Sequence, residues 1–163
     1  MGGFSPRQTL ELYRKLQVMQ TRIVLKKVLP LPETSYYAPR NRYRADSLIA
    51  YLKGLAGSDT VVVGLTNVDI STTKGTYRDW GIMGLGYTPG SSCIVSTFRV
   101  QKDNASAQLY KLVLHELAHT QGLPHCPVKT CYMRDAEGGN PLNEEKAFCE
   151  KCKAFLRSKG WKL

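Results

Sequence analysis

The spacing of apolar residues divides the chain into helical and extended stretches. Residues 5–20 carry Leu10, Tyr13, Leu16 and Val18/Met19 at helical intervals. Ser5 suits the N-cap and Pro6 the first helical position. Residues 21–29 (TRIVLKKVL) are rich in β-branched side chains and predict a strand, closed by Pro30-Leu31-Pro32. Residues 34–44 show no period and predict a loop. Residues 45–55 predict a short amphipathic helix with Leu48, Ile49, Tyr51, Leu52 and Leu55 inward and Gly57 as its stop. The unbroken apolar run 60–65 (TVVVGL) predicts a central buried strand, and residues 66–76 a loop. A glycine-rich strand over 80–87 and a strand over 92–100 follow. Residues 104–121 predict a helix with Leu109, Leu112, Val113 and Leu117 on its apolar stripe, capped by Asn104 or Ser106. Residues 143–158 predict a last helix, with Glu144 and Glu145 at the positive end of its dipole and Phe148, Cys149, Cys152, Phe155 and Leu156 on one face. These elements predict an α/β protein of the α+β type, a mixed twisted sheet packed with helices.

At 163 residues the chain is the size of one typical domain. Its 42% hydrophobic and 22% charged content is ordinary for a globular protein. No apolar run approaches the roughly 18 residues of a membrane span. Met1-Gly2-Gly3-Phe4 lacks the apolar core and charged start of a signal peptide, although the sequence is also compatible with a trimmed precursor.

The candidate chemistry is concentrated between residues 115 and 152. All three histidines (His115, His119, His125) and four of the five cysteines (Cys126, Cys131, Cys149, Cys152) lie there. Residues four apart on a helix share a face, separated by roughly 6 Å of rise. His115 and His119 can therefore present imidazole nitrogens to one ion at roughly 2.0–2.1 Å. Glu116 is better placed to take a proton from a water than to act as a ligand. Gly122 can end the helix, and Pro124 stops it continuing, so the chain can turn back and bring up His125. The pattern H-E-x-x-H-x-x-G-x-x-H is the metzincin extension, with a fourth position at the ion left for water and substrate.

Cys126-x4-Cys131 and Cys149-x2-Cys152 suit a tetrahedral structural zinc with no open position. Two disulfides are the alternative. Bridge geometry disfavours pairing within such short loops, but cross-pairing stays open in an oxidising compartment. Cys93 has no partner and reads as a small buried hydrophobe.

This stretch resembles the archaemetzincin family, whose pattern is H-E-x-x-H-x-x-G-x-x-H-C-x4-C-x-M-x17-C-x2-C. His115, Glu116, His119, Gly122, His125, Cys126, Cys131, Met133, Cys149 and Cys152 match it. One departure is that fifteen residues, not seventeen, separate Met133 from Cys149, a shortening assigned to the loop 134–143. The resemblance implies a zinc metallopeptidase with two Zn²⁺ per chain, one catalytic and one structural. It also implies that Met133 forms a Met-turn beneath the ligands. In the family a strand precedes the first helix, and none is visible ahead of residue 5, so the start of the domain is expected to lie outside this sequence. One domain over 1–163 is expected, with the sheet and active-site helix in 1–122 and the four-cysteine zinc site in 123–163. The glycines of 81–87 suggest an edge strand that another backbone approaches, as in metzincins that hold a peptide there; an irregular edge strand is the plain alternative.

The net charge of +10 favours acidic partners or surfaces. Arg40, Arg42 and Arg44 among Tyr36, Tyr37 and Tyr43 raise nucleic-acid contact, but the run is short and matches no reader motif, so a solvated loop is preferred. The expected function is hydrolysis of peptide bonds in a peptide or protein substrate, with His115, His119 and His125 on the zinc and Glu116 as general base. An aminopeptidase and an endopeptidase both fit. The alternatives are a zinc-stabilised binding protein without turnover and a basic nucleic-acid-binding protein. A monomer is expected, and reduced, zinc-loaded cysteines suit the cytoplasm.

Overall fold

Helix α1 (Pro6–Gln17) begins where Ser5 accepts a hydrogen bond from the Gln8 amide. This computed structural model describes residues 1–19 and 22–163. The inward stripe of α1 is Leu12 and Leu16, continued by Met19, whereas Leu10 and Val18 are exposed. The stripe is thus set by residues one turn apart behind Leu12, a position absent from the predicted face. The expected end of this helix at Gln20 and the first residue of the next strand lie outside the described residues.

The strand expected over 21–29 is absent from its described part. Residues 22–32 form neither helix nor strand, and Val24, Leu25 and Val28 are exposed. Their apolar side chains are consecutive rather than alternating, so they lack the single apolar face that a half-buried strand presents.

The strands form two ladders. In the first, β1 (Tyr36–Tyr37), β2 (Arg42–Arg44), β4 (Ile70–Lys74) and β5 (Tyr77–Ile82) lie in the order β1-β2-β4-β5. In the second, β3 (Val62–Thr66), β7 (Ser92–Ser96) and β6 (Gly84–Gly86) lie in the order β3-β7-β6. Each has one parallel pairing, β2 with β4 and β3 with β7, so both are mixed. The stretches expected as loops therefore contain β1, β2 and β4. The run expected as the central strand is the edge strand β3, and β7 is central.

β7 explains the layering. Successive strand residues point to opposite faces. Ile94 joins Leu48, Ile49 and Leu52 of α2 (Ala45–Lys53), while Val95 joins Leu109, Leu112 and Val113 of α3 (Ala105–Thr120). The two helices thus cover opposite faces of one strand. Tyr51 and Leu55, expected inward, are exposed. The mixed α+β class is as expected, divided between two ladders.

Helix α3 ends in a Schellman motif. Gly122 has φ +94°, and the Gly122 and Leu123 amides donate to the His119 and Ala118 carbonyls at 2.9 and 3.1 Å. The last helix, α4, spans Glu150–Ser158, seven residues shorter at its start than expected. The reason is tertiary pairing. The Lys146 amide donates to the Thr130 carbonyl (2.8 Å), and Tyr132 donates to the Ala147 carbonyl (3.1 Å). This bridge holds the second cysteine pair beside the first. No described helix is long and apolar enough to cross a membrane.

Candidate active site

The last two turns of α3 present His115 and His119 on one face, and the chain returning past Gly122 brings up His125. The Nε2 atoms of His115 and His119 are 3.0 Å apart, and those of His119 and His125 are 3.2 Å apart. On the other side of the rings, His115 Nδ1–H donates to the Tyr132 carbonyl (2.6 Å) and His119 Nδ1–H to the Leu123 carbonyl (2.8 Å). Those carbonyls can only accept, which fixes the tautomer and leaves Nε2 as a lone pair. His125 Nδ1 lies 3.5 Å from Asp135 Oδ2. Burial, then neighbouring His119, brings His115 down to about 3, and burial also lowers His119. Both rings are therefore neutral near pH 7.

The Nε2 lone pairs of His115 and His119, pointed at one another, repel unless a cation lies between them. Tetrahedral ligands at zinc–nitrogen distances are about 3.3 Å apart, so the observed separations fit one ion. The three rings form one of two described clusters able to hold a metal.

The other is Cys126, Cys131, Cys149 and Cys152, whose sulfurs all lie within 4.8 Å of one another. Cys126 and Cys149 Sγ are 3.7 Å apart. A disulfide needs about 2.05 Å, whereas two thiolates on one tetrahedral zinc are separated by about 3.8 Å. The Cys149 amide donates to Cys131 Sγ at 3.3 Å, as main-chain groups do around thiolate sites. All five cysteines are free, and Cys93 is fully buried in β7.

Glu116 is buried, and removal from water pushes its carboxyl up to about 8. Its wall is β6. A Cβ on Gly84 would stand 2.5 Å from Glu116 Oε1, and one on Gly86 would stand 2.8 Å from the Glu116 carbonyl. The glycines that suggested the approach of another backbone are thus accounted for at these two positions by Glu116 itself. Gly81 likewise makes room for the Arg99 guanidinium.

These groups open onto a cleft of about 820 Å³, bounded by β5, β6, α3 and the loop after Met133. Met133 is fully buried against Leu114 and Ala118 on the back of α3, one residue past the carbonyl that holds His115. The arginine–tyrosine run is not a free basic patch. Arg42 reaches Asp69 at 3.1 Å and Asp79 at 3.5 Å, and Arg44 reaches Asp46 at 3.3 Å. Sequence reasoning missed Asp135 beside His125, the Tyr132 and Leu123 carbonyls, and the fit of Gly84 to Glu116. A carboxylate two residues past Met133 was the one available hint.

Comparison with known proteins places the chain in a family. Residues 10–158 match the model of peptidase family M54. The archaemetzincin of Methanopyrus kandleri is 31% identical over 138 residues, spanning 82% of this chain and 77% of its own. That of Haloarcula marismortui is 30% identical over 135 residues, 75% of each chain. A crystal structure of the Methanopyrus kandleri archaemetzincin superposes with a TM-score of 0.80 at 26% identity, covering 97% of this chain and 91% of that one. The chain belongs to peptidase family M54, the archaemetzincins.

Proposed function

We propose that this protein is a zinc metallopeptidase in which His115, His119 and His125 hold a catalytic Zn²⁺ and Glu116 is the general base. Cys126, Cys131, Cys149 and Cys152 hold a second, structural Zn²⁺. The convergence of three imidazole Nε2 atoms beside a buried carboxyl group carries this reading. Bound zinc supplies Lewis acidity, which polarises a carbonyl oxygen and lowers the pKa of a water.

The chain's own residues do the rest. Glu116 Oε1, confined against Gly84, takes a proton from the attacking water and gives it to the leaving amine. Tyr132 and Leu123 carbonyls and the Asp135 carboxylate orient the rings, as outer partners do at metal sites. Met133 serves as the Met-turn, packing under α3 while the residue before it anchors His115. The substrate backbone lies along the segment 81–87, where β5 and β6 are the end strands of their ladders and border the cleft.

The test is the zinc-loaded chain against a peptide library, with cut sites read by mass spectrometry. Glu116→Gln should keep both ions and lose about 10²–10⁴-fold in turnover. A variant that cuts as fast as wild type refutes the role of Glu116, and zinc-loaded protein that cuts no peptide refutes the peptidase reading.

A further inference from the structure

The cleft contains a second buried acid that hydrolysis does not use. Glu145 is 3% exposed and lines the cleft together with Leu112, His115, Asn140 and Leu142. Its Oε2 is buried without a hydrogen-bond partner. Three other described side chains share that feature, and each has an explanation. Ser35 is uncharged, and Arg42 and Asp79 stand in ion pairs with each other and with neighbours. Glu145 has no cation within ion-pair distance among the described residues.

The cations nearby are committed elsewhere. Lys111 Nζ donates to the carbonyls of Leu142 and Glu145, both at 2.6 Å. Arg134 Nη1 pairs with Glu144 Oε2 at 2.6 Å. The lysine bonds also clamp the backbone of this segment to α3, so the carboxylate cannot be moved to solvent by a simple shift of the loop. Lys111 lies one turn before His115, about 6 Å along the helix. Glu145 lines the same cleft as His115, His119 and His125. Burial pushes its carboxyl up to about 7, the response of an acid lacking a counter-ion.

We propose that Glu145 is the recognition point for a cationic group of the bound peptide, an ammonium or guanidinium supplied by a side chain or by a free N-terminus. This rests on the peptidase reading above and adds a substrate class to it. The chain's net charge of +10 would by itself disfavour such substrates; one desolvated carboxylate in the cleft overrides that locally, because a charge pair is far stronger away from water.

The test uses the zinc-loaded full chain and two arms. In the first, peptides differ only in arginine against its neutral isostere citrulline beside the cut bond, each with a free or acetylated N-terminus. Wild type should prefer one cationic member by about tenfold or more, and whether the side chain or the amine carries the preference identifies its source. Glu145→Gln should cut both members of that pair alike. A merely structural residue would lower melting temperature without changing this ratio. Equal cutting of all four peptides by wild type, or an unchanged preference in the variant, overturns the proposal. In the second arm, n-butylguanidinium and n-butylurea are titrated by NMR without any turnover. The cation should bind wild type at least about tenfold more tightly than the variant; equal binding overturns the proposal. If no peptide is cut, the peptidase reading fails and the second arm still decides the role of Glu145. Glu145→Asp, which withdraws the carboxylate but keeps its charge, replaces Glu145→Gln if that variant does not fold, and should weaken the preference.

Discussion

Replacing Gly84 with alanine tests the packing of the general base with a single methyl group. That Cβ would lie 2.5 Å from Glu116 Oε1, 2.8 Å from its Cγ and 2.9 Å from its Cδ. Non-bonded heavy atoms settle near about 3.5 Å, so the Glu116 side chain must retreat by about 1 Å. It is buried and cannot do so freely. Two consequences follow at different scales. Overpacking costs about 1–3 kcal/mol, which for a chain of this length lowers Tm by roughly 2–4 °C per kcal/mol. Misplacing a catalytic group by about 1 Å costs on the order of 10²-fold in rate. Zinc content should be unaffected, because Gly84 does not touch the histidine cluster. Gly86→Ala is the control. Its Cβ would meet the Glu116 main-chain carbonyl at 2.8 Å and Cys93 Cβ at 3.3 Å. A helix backbone cannot rotate aside as a side chain does, so this variant should lose more stability than Gly84→Ala. The assay is kcat/KM on a cleaved peptide, with bound zinc and Tm measured on the same samples. A Gly84→Ala protein with wild-type kcat/KM would mean that Glu116 does not act from the position described.

Two further outcomes are expected. Glu145 titrates at about 7 when folded and at 4.5 ordinarily. The folded carboxyl holds its proton longer, so wild-type stability falls as pH rises from 4.5 to 7. Glu145→Gln removes that loss. Its stability relative to wild type should rise between about pH 5 and about pH 8 by up to about 3 kcal/mol, read as the change in the Tm difference; an equal difference at both pH values would contradict the burial argument. Asp135→Asn, beside His125 at 3.5 Å, should weaken zinc at the histidine site by about 10–100-fold in competition with a chelator, leaving the cysteine site loaded.

What the sequence made legible follows from how local each cause is. A metal site needs fixed residue types at fixed offsets, so His115, Glu116, His119 and His125 stood out, as did the four cysteines. Gly122 announced the end of α3, since the reversal requires a positive φ. The polar strands did not show. β2 (RYR) and β4 (ISTTK) have no apolar alternation to betray them. They are held instead by ladder bonds and by the Arg42–Asp69–Asp79 ion pairs, between residues far apart in sequence. Residues 22–29 failed the opposite way, with strand-forming side chains in a consecutive rather than alternating order. The start of α4 was misjudged because the amide of Lys146 is drawn to Thr130. Glu145, expected with Glu144 at the start of the last helix, lies ahead of α4 instead, and Asp135 was silent for a simpler reason. A single acid in a polar loop carries no pattern, and the burial of Glu145 and the neighbours of both acids appear only once the loop is folded over α3.

The most direct measurement is anomalous scattering at the zinc absorption edge from crystals of the zinc-loaded chain. The expected result is two peaks, one among the Nε2 atoms of His115, His119 and His125 and one among the four cysteine sulfurs, with the Glu116 carboxylate unbonded to either ion. No peak among the imidazoles, or a Glu116 oxygen bound in place of the His125 ring, would contradict the assignment of three ligands and a free base.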